Sequence, residues 1–193
     1  MKKLLLLLVL MSAFSACSKR KQRDVRKLNW FEISTDARGQ KIDVLVPENE
    51  KALWEARFSK AANQLTEHAN AQVTVIGIPP SSIQDSLSQF CKASLVLLRG
   101  KSIEQSIQQG FLMGPFDRLL PVAKELNTDD DAFRLSDGVP TQGFAVPLHS
   151  AFNDSSQLGF FAIPEKGQAQ AAALLLVESL LEEALAADSS MHK

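Results

Sequence analysis

This 193-residue chain lacks tyrosine altogether and has only two cysteines and three histidines. Few side chains are therefore available for acid–base or nucleophilic catalysis. The cysteines form no Cys-x-x-Cys pair and no Cys/His cluster, so neither a disulfide framework nor a structural zinc site is expected. The sequence predicts a protein that is not an enzyme and that holds no metal and no other cofactor.

An excess of charge of one sign is also lacking, because the formal net charge is −1. Without an overall basic field, a nucleic-acid partner is not expected. Apolar residues make up 45% of the chain and charged residues 22%, which is ordinary for a globular protein. The length suits one domain, or little more.

Long hydrophobic runs are missing as well. The apolar run 4–11 has eight residues, whereas a membrane-spanning helix needs about 20. Two lysines precede this run and small residues follow it, a pattern that indicates a secretory signal over residues 1–16.

The end of this signal, Phe-Ser-Ala-Cys at 14–17, resembles the lipobox of bacterial lipoproteins. The resemblance implies that Cys17 becomes the N-terminus and carries a diacylglycerol, so that the lipid makes the membrane a partner. In such lipoproteins an Asp after the lipidated cysteine would imply retention in the inner membrane. Position 18 is Ser instead, so the resemblance implies the outer membrane, facing the periplasm, with the cell membrane as the alternative. An ordinary secreted protein is the other interpretation.

Charge is distributed unevenly along the mature chain. Residues 19–27 hold six basic residues and one acidic residue, whereas residues 28–193 hold 13 basic and 21 acidic ones. We expect a lipidated cysteine and basic tether over 17–39, a single domain over 40–188 and a tail over 189–193. The tether would keep the domain off the membrane, with some attraction to anionic head groups.

The first half of the domain alternates strand and helix patterns. Strands are predicted over 41–46, 72–78 and 94–98, and helices over 48–69, 82–92 and 102–110. This order predicts an α/β fold with a mostly parallel sheet and helices on both faces. The second half predicts a turn-rich segment over 111–121, a helix over 129–136, strands over 142–147 and 157–164, and a long helix over 167–187.

Segments in this order resemble the sugar-binding type of extracellular solute-binding proteins of ABC importers. The resemblance rests on the strands at 42–46 and 73–76, on 93–98, on Gly-Phe-Leu-Met-Gly-Pro-Phe-Asp at 110–117 and on 138–147. Only about ten residues separate Pro147 from Leu158, so the second lobe of that family is missing. The resemblance implies a single lobe whose strands 142–147 and 158–163 lie side by side and antiparallel.

Ligands of parallel sheets bind beyond the carboxyl ends of the strands. The candidate binding residues at those ends are Glu48, Asn49, Arg99, Lys101 and His149, although His149 also suits an ordinary surface position. Charge reversal at Arg99 and Lys101 is expected to leave thermal stability nearly unchanged. Cys91 is expected to be buried and inert, and the three aspartates at 129–131 to cap a helix rather than to bind a metal.

Two functions remain open. The first is a non-enzymatic, membrane-anchored binding protein derived from a solute-binding protein, which contacts a solute at an open cleft, another envelope protein or a transporter component. The alternative is a scaffold or assembly lipoprotein that contacts another envelope protein and has no small ligand.

Overall fold

The computed structural model describes residues 23–88, 92–99, 101–115, 119–122, 143–144, 146–147 and 159–191. Its α-helices are α1 (Trp30–Asp36), α2 (Lys51–Ala69), α3 (Pro80–Ser88), α4 (Lys101–Gln108) and α5 (Gln170–Met191). Its strands are β1 (Lys41–Pro47), β2 (Gln72–Ile78), β3 (Leu95–Arg99), β4 (Leu112–Met113), β5 (Val146–Pro147) and β6 (Gly159–Pro164). Short 3-10 helices cover Val25–Lys27 and Glu48–Glu50.

The strands form one mixed sheet in the order β2-β1-β3-β6-β4, with β5 also paired to β6. β1 is parallel to both β2 and β3, whereas β6 is antiparallel to β3, β4 and β5. The α/β class is confirmed. The mostly parallel arrangement expected from the sequence is not, because β6 runs against all three of its described neighbours.

Helices cover both faces of this sheet, as expected. α1, α2 and α5 pack against one face, which presents Leu95, Leu97 and Phe161. α3 and α4 pack against the other face, where Val96, Leu98 and Phe160 form a second cluster. Successive strand residues point to opposite faces, so β3 is buried on both sides because both faces carry helices.

The antiparallel pairing predicted between the two late strands is confirmed where the structure describes them. Val146 is paired with Phe161, and Pro147 with Phe160. The predicted strands, taken as buried on both faces, predict the core residues Val44, Val46, Val75, Ile76, Leu95 and Leu97. All of them except Ile76 are buried. Ile76 is only partly buried, because β2 pairs in the described structure with β1 alone.

The folded body begins before residue 40, which corrects the predicted extent of the tether. Helix α1 starts with a capping box, in which Asn29 accepts from the backbone of Glu32 and the Glu32 carboxylate accepts from the backbone of Asn29. Val25, Ile33 and Ala37 are buried in the first core cluster. Part of the basic segment 19–27 belongs to the folded body too, because Arg23 pairs with Asp36 at 2.7 Å.

Other boundaries also shift. The predicted tail at 189–193 is helical as far as Met191, where α5 ends. The segment 111–121 contains the short strand β4, which its turn-rich composition did not predict. The signal with Cys17, Cys91, the helix predicted over 129–136 and His149 all lie outside the described residues. Within the described part of the chain, no helix is both long enough and apolar enough to span a bilayer.

Candidate functional site

A cavity of ≈ 360 Å³ lies at the carboxyl ends of β1 and β3. Apolar side chains make up much of its wall, and four residues contribute polar groups. The lining residues are Pro47, Asn49, Glu50, Pro80, Ile83, Leu97, Leu98, Arg99 and Ser102. Its position is the one at which parallel strands leave room for a ligand, and its volume falls in the range of small-molecule pockets.

The 3-10 helix Glu48–Glu50 forms one side of the cavity and depends on a glycine in the neighbouring strand. It follows β1 directly, where Pro47 ends the strand. A Cβ atom on Gly77 would lie 2.9 Å from the Cα of Glu48. The absence of a side chain at Gly77 therefore lets the backbone of this turn approach β2 closely and fixes the position of Glu50.

An ion pair between Glu50 and Arg99 crosses the site. Arg99 Nη1 lies 2.5 Å from Glu50 Oε1, and Nη2 lies 2.8 Å from Oε2. The side chains are only 14% exposed for Glu50 and 34% exposed for Arg99. This bidentate geometry holds both side chains in place, and the two charges cancel within the cavity wall.

Trp54 connects this pair to the hydrophobic core. Its indole Nε1 donates to Glu50 Oε2 at 3.1 Å, one helical turn away. Its ring contacts Phe161 edge to face, with centroids 4.9 Å apart, and Phe161 in turn contacts Phe58 at 5.3 Å. Rings in this arrangement attract one another, so the carboxylate of Glu50 is anchored to a rigid aromatic group.

The pKa of Glu50 lies below its ordinary value. Burial by itself raises the pKa of this carboxyl, but hydrogen bonds from Arg99 and Trp54 and the charges of Arg99 and Arg57 outweigh burial. Glu50 is therefore ionised at neutral pH. Its negative charge is paired with the guanidinium of Arg99 and is not available to a positively charged ligand.

Ser102 fixes the backbone at the end of β3. Its hydroxyl donates to the carbonyl of Arg99 at 2.6 Å and accepts from the amide of Arg99 at 3.2 Å. The Nε of Arg99 is buried and has no hydrogen-bond partner within the described part of the chain. Because a buried donor without a partner is costly, an acceptor from a ligand or a water at this atom would be favourable.

The structure brings together some of the predicted site residues. Asn49 and Arg99 line the cavity, whereas Glu48 is exposed on the same turn and is not part of the lining. Lys101 begins α4, and its side chain lies outside the described atoms, as does the whole of His149. The contact with Glu50 argues against the predicted tolerance of charge reversal at Arg99, because reversal would place two carboxylates against each other in a partly buried site.

The sequence pattern does not single out Glu50, Trp54 and Ser102 as site residues. The i, i+4 spacing of Glu50 and Trp54 is visible in the sequence, but an apolar ring at helical spacing predicts a core position, and Trp54 is indeed buried. The pairing of Glu50 with Arg99 joins residues 49 positions apart. Such a contact follows from the adjacency of β1 and β3, which the spacing of residues does not reveal.

Known proteins provide no further guide to this site. No family model matches the chain, and no curated protein or solved structure is significantly similar to it. Within the residues that the structure describes, no group of three or more His, Cys, Asp or Glu side chains is placed to hold a metal ion.

Proposed function

We propose that this protein is a lipid-anchored, non-enzymatic binding protein of the bacterial cell envelope that holds a small uncharged molecule in the cavity at the carboxyl ends of β1 and β3. The observation that carries the proposal is the cavity itself, because it combines an apolar wall with a few fixed polar groups. Attachment through Cys17 and descent from one lobe of a solute-binding protein are parts of the same proposal.

Electrostatics favours an uncharged ligand. Among the described residues of the lining, only Glu50 and Arg99 are charged, and they neutralise each other at 2.5–2.8 Å. A charged ligand would have to compete with this ion pair, whereas an uncharged polar molecule can hydrogen-bond to Asn49 and Ser102. The pairing of β5 with β6 supports the single-lobe interpretation, since it is the arrangement expected when a short connection replaces the second lobe.

A thermal-shift screen of uncharged metabolites, sugars included, against the mature chain tests the proposal. A ligand at 100 times its Kd stabilises the folded state by about 2.7 kcal/mol, which raises the Tm measurably. We expect Asn49→Leu to weaken binding about tenfold, because the ligand would lose its hydrogen bond to the Asn49 side-chain amide. Asn63→Leu, on the exposed side of α2, is the matched control and should bind as the wild type does.

Ligands that bind the wild type and Asn49→Leu equally would place the binding site elsewhere. Failure of every small molecule to shift the Tm would favour the alternative, a scaffold lipoprotein without a ligand. Co-purification of an envelope protein from detergent-solubilised membranes would then identify the partner.

A further inference from the structure

We infer that the exposed face of α1 rests on the lipid bilayer and that the cavity consequently opens away from the membrane. The inference rests on the proposed function, because it takes Cys17 to be the lipid-bearing residue. It goes beyond that function by assigning a second membrane contact and an orientation to the folded domain.

The distance between anchor and fold is short. Arg23 already forms an ion pair with Asp36 of α1, and only five residues lie between Cys17 and Arg23. Six peptide steps span at most about 20 Å even when fully extended. The beginning of the folded body therefore cannot move far from a bilayer that holds the lipid on Cys17.

The face of α1 that points outward has the composition of a membrane-contacting surface. Phe31 is 80% exposed, whereas Leu53, the other exposed large hydrophobic residue within the described structure, is 45% exposed. Thr35 is exposed one helical turn after Phe31, on the same side of α1, and Lys27 and Arg38 are exposed just before and just after the helix. An aromatic ring flanked by cations suits the boundary between head groups and acyl chains.

Charge on the rest of the chain supports the same orientation. Residues 18–38 hold seven basic and three acidic residues, whereas residues 39–193 hold 12 basic and 19 acidic ones. Anionic head groups attract the first set and repel the second. An anionic bilayer is therefore the partner whose charge fits this end of the molecule.

The segment that precedes β1, which includes α1, lies at one edge of the sheet, as its contacts show. The amide of Gly39, just after α1, donates to the carbonyl of Ala69, and β1 begins two residues later. Arg26 pairs with Glu165 at 2.9 Å, directly after β6. Because β6 runs antiparallel to β3, and β3 is parallel to β1, the end of β6 and the start of β1 lie at the same edge.

The cavity lies at the opposite edge, since its residues follow the carboxyl ends of β1 and β3. Strand β1 has seven residues, so about 20 Å separates the two edges. A domain that lies on the bilayer through Phe31 would present its cavity to the aqueous compartment, where a soluble ligand can enter.

Quenching by brominated lipids tests the contact directly. The mature acylated chain is incorporated into phosphatidylethanolamine vesicles with about 30% phosphatidylglycerol, with and without brominated acyl chains. We expect Phe31→Trp to lose about half of the added indole emission in brominated vesicles, because the ring lies at the acyl boundary. Leu53→Trp is the matched control at the other exposed hydrophobic position and should be quenched no more than the wild type.

Charge variants provide the second measurement. In the same vesicles, Lys27→Glu combined with Arg38→Glu should abolish the additional quenching of Phe31→Trp. The combination of Lys51→Glu and Lys60→Glu changes the charge equally on α2 and should leave the quenching intact. Neither pair removes a core residue, since the four substituted side chains, three lysines and one arginine, are all exposed.

The outcomes separate this inference from the proposed function. A chain without a lipid on Cys17, established by mass spectrometry of the membrane fraction, would overturn the anchoring itself. An acylated chain in which Phe31→Trp and Leu53→Trp are quenched equally would overturn the inference alone. Capture of an envelope protein that requires Phe31, without quenching by lipid, would also overturn it and assign the face to a protein partner.

Discussion

At the residue scale, the candidate site depends on the contact between Glu50 and Arg99. The pair is bidentate, and it lies between the fully buried case, in which loss of one partner costs about 3–5 kcal/mol, and the exposed case at about 0–1 kcal/mol. Because Arg99 keeps a third of its exposure, we expect Arg99→Met to lower the free energy of unfolding by about 1–3 kcal/mol.

A double-mutant cycle of Glu50→Gln and Arg99→Met in urea measures the coupling between the two side chains. A coupling energy near zero would mean that the ion pair does not hold the cavity wall together. Lys51 and Glu55, an exposed pair 3.6 Å apart, provide the matched control cycle, for which a smaller coupling is expected.

Acid stability also depends on Glu50. A carboxyl whose pKa is depressed by folding stabilises the native state fully above its unfolded pKa, and this contribution is lost as the pH falls through the folded pKa. The folded pKa of Glu50 lies below the ordinary value of 4.5. The stability gap between wild type and Glu50→Gln should therefore be constant near neutrality and shrink as the pH drops below about 4.5, as followed by urea unfolding. A gap that stays constant down to pH 2–3 would contradict the role given to Glu50.

Helix α1 carries the main correction at the scale of secondary-structure elements. Ile33 is 1% exposed and belongs to the first core cluster, whereas Phe31, two residues earlier, faces solvent. We expect Ile33→Ala to cost about 2–5 kcal/mol because it leaves a cavity in the core. Phe31→Ala on the same helix should change the stability by less than about 0.5 kcal/mol. Equal and small effects in thermal unfolding would mean that residues 30–36 behave as the tether that the sequence predicted.

Anchoring is the prediction at the scale of the whole molecule. Cys17→Ser removes the thiol that would carry the lipid, so the protein should remain unprocessed or leave the membrane fraction. Fractionation followed by immunodetection checks the result, and Cys91→Ser is the matched control for the loss of a thiol. A Cys17→Ser protein of mature size that still requires detergent for extraction would contradict lipidation at this residue.

Much of the fold could be predicted from local pattern. The strands β1, β2 and β3 and the helices between them lie where alternation of apolar runs and helical spacing placed them, because each such pattern reflects burial of one face. The expected N-terminal signal likewise depends only on neighbouring residues. Helix α1 could have been found from its Asn29–Glu32 capping box, but the surrounding basic residues suggested a tether instead.

Tertiary structure decided what depends on contacts between distant residues. The direction of β6 makes the sheet mixed. A strand's sequence does not reveal whether it pairs parallel or antiparallel, since the same pattern of buried side chains suits both. Adjacency of β1 and β3 brings Glu50 to Arg99 and turns two separate charges into a neutral cavity wall. Sequence alone thus determined β1, β2, β3 and the helices between them and predicts the anchor, whereas the packing of the chain decided where the domain begins and which side chains meet.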